Sequence, residues 1–372
     1  MNYFLNLIEP YLSSGQGSIG DYPVESDICF HINYAMEDLA FKSLKVVWDH
    51  AGGKIRLNVE KTLVEARLIG ASSNVLIVTS ANSRIQNGSL EQDLLQAISL
   101  LRRELVGVKV VLLVPDAHAR GLHPVKQAIT KSIIEDFYPV VDLFLTPFSG
   151  TVSLFWNVYK RPDLVDKISY IPVLPTRFLC HDTTSKFYEI SYLGSNKNGR
   201  RQSMQSALNI EGANVLFSTC GRIPSALNPF RTTQSYLNMM LGSKLSICTP
   251  AFESFEIMKM DGLSVSQPAV FPGRVAEAIA CGSLPIYVRT DRDFVPEEFS
   301  PLPRVDQLIP FVEVSTSVLS LAIRQILQAY QANVVIPKLA AYHAQHLSAR
   351  AILGDVLEGL GFALPPVGAS IG

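Results

Sequence analysis

Short runs rich in valine, isoleucine and leucine alternate along this chain with longer segments whose apolar residues recur every three to four positions. That alternation is the mark of parallel strands joined by crossover helices, and it restarts midway through the sequence. In the first half it predicts strands over 27–32, 44–48, 75–79, 108–114, 141–145 and 168–173. The longest helical pattern between them, SLEQDLLQAISLLRREL, opens on Ser89 as an N-cap, and a second predicted helix covers 123–137.

The segment LPTRFLCHDTTSK then loses all period and carries Pro175, so it reads as a linker. Beyond it the pattern resumes, with strands predicted over 189–193, 215–218, 244–248 and 284–288 and helices over 200–208, 233–241, 273–280, 315–330 and 337–360. A chain of 372 residues is too long for one ordinary α/β domain and suits two. The expected division is a first domain over 1–175, a linker over 176–186, a second domain over 187–345 and a terminal helix and tail over 346–372. The expected fold class is α/β: two Rossmann-like parallel-sheet domains facing a cleft. Open sheets of this kind bind ligands beyond the carboxyl ends of their strands, so the cleft is the expected site.

Composition bounds the function only loosely. A formal net charge of -1 gives no global reason to bind nucleic acid or an anionic membrane, although a balanced total can hide a local basic patch. The cysteines (Cys29, Cys180, Cys220, Cys248 and Cys281) are odd in number, far apart and without a Cys-x-x-Cys pair. That spacing reads as reduced thiols in a cytoplasmic protein rather than as a zinc or disulfide framework. The opening MNYFLNLIEPYL has no early cation and carries Glu9 and Pro10, which makes it a poor signal peptide. No apolar run reaches the roughly 20 residues that a membrane span needs.

The most informative stretch is FPGRVAEAIACGSLPIYV, residues 271–288. It reads as a loop, a short helix of good formers, a stop at Gly282 and a buried strand. Pro272 and Gly273 open the helix and leave its first N–H groups able to hold an anion, and Arg274 suits a bound phosphate. Glu277, one turn on, can accept two hydrogen bonds from the hydroxyls of a ribose. The plainer alternative is an i, i+3 ion pair between Arg274 and Glu277 on a solvated face, worth about 0.3 kcal/mol.

This stretch resembles the nucleotide-sugar motif of GT-B glycosyltransferases and is most similar to the exostosin-like families, with their R-V-x-E-A-I-x-x-G-x-x-P-I/V pattern. Here the pattern is Arg274, Val275, Glu277, Ala278, Ile279, Gly282, Pro285 and Ile286, and the likeness covers roughly residues 188–315. The resemblance implies that Glu277 binds the ribose of a nucleotide-sugar donor, that Arg274 lies near its diphosphate, and that no cofactor or essential divalent metal is needed. Two departures stand out. Many retaining members carry a second glutamate eight positions earlier, where this chain has Ala269, which favours inversion. Exostosins proper also have a membrane anchor, for which no segment is seen here.

Three further segments bear on chemistry. In ISYLGSNKNGRR a strand ends at Gly194-Ser195, and Lys197, Arg200 and Arg201 follow. Small residues allow a close approach to the backbone and the cations offset a diphosphate, although a tight turn before a solvated helix would look the same. By resemblance the turn is donor-binding, and Arg222 sits where such proteins contact the base or phosphate. Asp291-Arg292-Asp293 has the metal-binding spacing of the other glycosyltransferase fold, GT-A, but in the resembling families it is a polar loop.

For the catalytic base the candidates are His31 with Glu37 and Asp38, Asp49 with His50, and Asp116 with His118. Each is read as sitting at a strand end, where a histidine is more often a structural hydrogen-bonded residue. His31 and the Asp116/His118 pair rank equally. The expected activity is therefore transfer of a sugar from a nucleoside diphosphate sugar to an acceptor hydroxyl. The acceptor is left open among a glycan, a lipid-linked sugar, a small molecule, a protein and a modified DNA base. The alternatives are a nucleotide-sugar epimerase of the same fold and a non-catalytic two-domain binding protein.

Overall fold

The computed structural model describes residues 1–8, 11–13, 22–24, 27–51, 54–68, 74–80, 89–105, 107–114, 132–146, 161–171, 173–180, 186–193, 204–205, 207–218, 233–248, 258–260, 263–265, 273–289, 312–315 and 318–366. Two parallel sheets organise it. The first contains β1 (Asn2–Asn6), β4 (Phe41–Leu44), β7 (Val75–Ser80), β8 (Lys109–Leu113), β9 (Leu143–Thr146) and β10 (Ile168–Tyr170) in the order β10-β9-β8-β7-β1-β4. The second contains β11 (Tyr188–Leu193), β12 (Val215–Ser218), β13 (Ser243–Cys248), β16 (Leu284–Arg289) and β17 (Val312–Ser315) in the order β12-β11-β13-β16-β17. Short antiparallel hairpins, β2 (Tyr11–Ser13) with β3 (Tyr22–Val24), β5 (Trp48–Ala51) with β6 (Lys54–Leu57), and β14 (Met258–Met260) with β15 (Leu263–Val265), lie outside these sheets.

The strands behave as covered parallel strands should. Every residue of β7 is buried, as are Val110 to Leu113 of β8, because helices cover both faces. In each sheet the strand order reverses beside the first strand, between β1 and β7 and between β11 and β13. Those reversals are the topological switch points at which open α/β sheets place ligands.

The first element of the chain was not expected as a strand, yet β1 pairs with β4 on one side and β7 on the other and so becomes an interior strand. The expected strand over 27–32 is instead a helix, Asp27–Asp38. Its buried Ile32, Ala35 and Met36, with Leu39 just past its end, recur at helical spacing, and burying that stripe decides the conformation of an apolar run too short to settle it alone. The expected strand over 44–48 divides between β4 and the β5–β6 hairpin, and the helix expected over 337–360 is two, Ala332–His346 and Ala349–Gly359.

After the second sheet the chain returns to the first. The Ala349–Gly359 helix packs on the Asp27–Asp38 helix, Phe362 lies 5.2 Å from the ring of Phe41, and Asn2 Nδ2 donates to Ala363 O at 2.7 Å. One continuous apolar core therefore runs from Phe4 and Ile32 through Tyr236 and Ile279 to Phe362. Among the described residues no helix is long and apolar enough to cross a membrane.

Candidate functional site

The site is built around the Gly273–Ala280 helix. Val275, Ala276 and Ala278 to Ala280 are buried, and the helix packs between β13, β16, the Thr233–Leu241 helix and the Ala332–His346 helix. Gly273 is exposed, and a Cβ added there would meet nothing within 4 Å, so among the described residues nothing covers the N-terminus of the helix. Gly282 ends the helix with φ +60°, its N–H bonded to Ile279 O and the Ser283 N–H to Ala278 O.

Glu277 lies on this helix with 4% of its surface exposed. A carboxylate so buried must be hydrogen-bonded or paired. The buried Tyr236 hydroxyl, from the Thr233–Leu241 helix, donates to Glu277 Oε2 at 3.2 Å. From the other domain His31, itself only 6% exposed, brings Nε2 to 3.5 Å from Glu277 Oε1. That separation is an ion-pair distance and longer than an N–H···O hydrogen bond, and His31 Nε2 has no hydrogen-bond partner among the described residues. Glu277 is buried and does not stand on a solvated face, and no ion pair between it and Arg274 is found among the described residues. Both side chains are instead felt by the buried Cys248 at the end of β13. Burial pushes its thiol up to about 12, with Arg274 opposing and Glu277 adding to the rise.

The structure thus brings His31, Gly273, Arg274 and Glu277 to one place. His31 reaches it from a helix and not from a strand end. Its neighbours Glu37 and Asp38 face elsewhere, toward Arg177 of the linker at 3.4 Å and 3.8 Å. Asp49 is engaged beside its own hairpin, accepting at 2.7 Å from the Nδ2 of Asn58, which directly follows β6. Asp116, His118, Gly194, Ser195, Lys197, Arg200, Arg201, Arg222 and the Asp291-Arg292-Asp293 segment lie outside the described residues, as does Ala269. Strand β11 ends at Leu193, directly before Gly194 and beside the switch point of its sheet. Among the described residues no group of three His, Cys, Asp or Glu side chains could hold a metal ion.

Tyr236 was not singled out from the sequence. A signal for it exists: it shares the buried face of its helix with Leu237 and Met240, and a hydroxyl on such a face needs a partner.

No family model matches the sequence. No curated protein matches it either. Solved structures do match. An alpha-glucosyltransferase in complex with UDP and a 13-mer DNA containing a HMU base superposes over 97% of this chain and 100% of that chain, with a TM-score of 0.55 and 9% identity. Anabaena HepE in complex with UDP-glucose covers 96% of this chain and 99% of its own, with a TM-score of 0.51 and 11% identity. At such identities the likeness is one of fold, and the fold is GT-B: two Rossmann-like α/β domains.

Proposed function

We propose that this chain is a glycosyltransferase that takes a sugar from a nucleoside diphosphate sugar and passes it to an acceptor hydroxyl. The observation that carries this reading is the buried Glu277 carboxylate, one turn into a helix whose first residue, Gly273, is exposed, and facing a histidine of the opposite domain. A ribose needs such an acceptor for its hydroxyls, and a diphosphate needs the free N–H groups and a cation such as Arg274. The exostosin-like spacing from Arg274 to Ile286 supports the same assignment. Gly194 and Ser195 would approach the donor closely, and Arg200, Arg201 and Arg222 would offset its charge.

In this reading fixed dipoles and cations stabilise the departing diphosphate, and no divalent metal is required. Ala269, in place of a second glutamate, favours inversion at the anomeric carbon. His31, Asp116 and His118 remain the candidates for the base that removes the acceptor's proton.

The test is a melting-temperature screen against nucleoside diphosphates and their sugars, since a ligand that binds the folded state raises the transition by mass action. Two of the solved structures alike in fold contain UDP or UDP-glucose, which places uridine compounds first in the screen. Release of nucleoside diphosphate only when acceptor is present is expected of a transferase, and release without acceptor is not. Glu277→Gln, which keeps the shape and removes the charge, is expected to weaken donor binding by about ten- to a hundredfold. Unchanged affinity for every nucleotide sugar tested would remove the site assignment.

A further inference from the structure

The His31 side chain is not explained by donor chemistry that the Gly273–Ala280 helix supplies alone. It is more than nine-tenths buried, its Nε2 has no hydrogen-bond partner among the described residues, and it faces Glu277 Oε1 across 3.5 Å. A buried ring nitrogen left in that condition costs free energy unless something completes it. The other carboxylate oxygen is already engaged, because the Tyr236 hydroxyl donates to Oε2 at 3.2 Å. Tyr236 therefore fixes the carboxylate so that Oε1 is the oxygen turned toward His31.

We propose that His31 and Glu277 together bind one ribose hydroxyl of the donor, with Tyr236 as the positioning residue that sets the carboxylate for it. The proposal rests on the nucleotide-sugar reading above and deepens it. Two atoms 3.5 Å apart are spaced so that one hydroxyl oxygen about 2.8 Å from each would bridge them. With its proton on Nε2, His31 donates to that oxygen, and the hydroxyl donates its own hydrogen to Glu277 Oε1. A hydroxyl is suited to the position because it both accepts and donates, and neither a hydrogen atom nor a carbonyl can do both. His31 stands on the helix after the first sheet's switch-point strand and Glu277 on the second domain, so the ribose is held from both domains. On this assignment His31 reads the donor, and of the three candidates for the acceptor's base Asp116 and His118 are left.

The test is calorimetry on the full chain with UDP, GDP, ADP and CDP, followed by the 2′-deoxy and 3′-deoxy analogues of whichever binds. The unsubstituted chain is expected to prefer the ribonucleotide over one of the two analogues by about tenfold or more. His31→Ala and Tyr236→Phe are each expected to shrink that ratio at least about threefold while leaving the deoxy analogue's affinity unchanged. Tyr236→Phe keeps the ring and removes only the oxygen, and His31→Gln, whose amide can donate in place of the ring, retains part of the preference.

A ratio unchanged in either His31→Ala or Tyr236→Phe overturns the proposal, as does equal weakening of the ribonucleotide and its analogues. Unaltered binding with slowed turnover in His31→Ala overturns it in favour of a catalytic base. If the unsubstituted chain binds none of the nucleoside diphosphates, the nucleotide reading itself fails and this assignment falls with it. Binding without ribose discrimination sinks the assignment alone.

Discussion

Gly282 meets two constraints at one position. Its φ of +60° is a left-handed conformation that costs an L-residue about 1–2 kcal/mol. A Cβ there would also lie 2.5 Å from Cys180 Sγ and 2.6 Å from Cys180 Cβ. The first constraint is legible in the sequence, where a helix pattern stops at a glycine before a strand. The second is not, since nothing local reveals that Cys180 lies against this turn. Gly282→Ala is expected to lower stability by more than the backbone cost alone, roughly 2 kcal/mol or more, read as a drop in the urea midpoint with an unchanged slope. Glu277 divides in the same way. Its spacing from Arg274 could be read in the sequence, whereas its burial and its contacts with Tyr236 and His31 depend on elements far along the chain.

Among the elements, the Gly273–Ala280 and Thr233–Leu241 helices are joined at their C-terminal ends by one side chain. Lys186 Nζ donates to Leu241 O at 2.8 Å and to Cys281 O at 3.0 Å, where the helix dipoles favour a cation. Burial lowers the Lys186 pKa, and the nearby Cys180 and Cys281 oppose the shift. Lys186→Met keeps the apolar stem and leaves both carbonyls without that donor, which is expected to cost about 1–3 kcal/mol in chemical denaturation. Behind the site, Ser246 Oγ lies 3.0 Å from Ser191 Oγ and 2.8 Å from Ser283 Oγ, a buried hydroxyl chain across β11, β13 and the start of β16. Strands such as β7 and β12 were legible because their apolar runs are short and bounded. The Asp27–Asp38 helix was not, because DICFHI is apolar enough to suit either period and only the buried stripe selects one.

At the scale of the whole molecule, the linker is tied to the C-terminal helices through His343. Its Nε2 lies 2.8 Å from Thr176 O and 3.2 Å from Thr176 Oγ1, and the Thr176 N–H donates to Leu347 O. Burial pulls the His343 pKa down to about 4 from an ordinary 6.5, with the Thr176 carbonyl opposing. Above the ordinary value both the folded and unfolded chains hold a neutral ring, so the group costs nothing. As pH falls from 6.5 toward 4 the unfolded chain takes up a proton that the folded one refuses, and stability is lost across that window. The loss attributable to this group is about 3 kcal/mol at most. His343→Asn is expected to be less stable at neutral pH but to lose less on acidification. Denaturation midpoints measured from pH 7 to pH 4 check this, with a residual slope expected from His346, whose pKa burial also lowers.

The sequence by itself determined the two-domain parallel α/β plan, most of its strands and the helix that bears Glu277, because these depend on local periodicity and on residues a few positions apart. Tertiary structure decided that β1 is an interior strand, that residues 27–38 coil into a helix, that the chain's end returns to its first domain, and that His31 and Tyr236 converge on one carboxylate. Those outcomes depend on which apolar faces cover one another and on how buried polar groups find partners. Both are settled between residues distant in sequence, where no local period can record them.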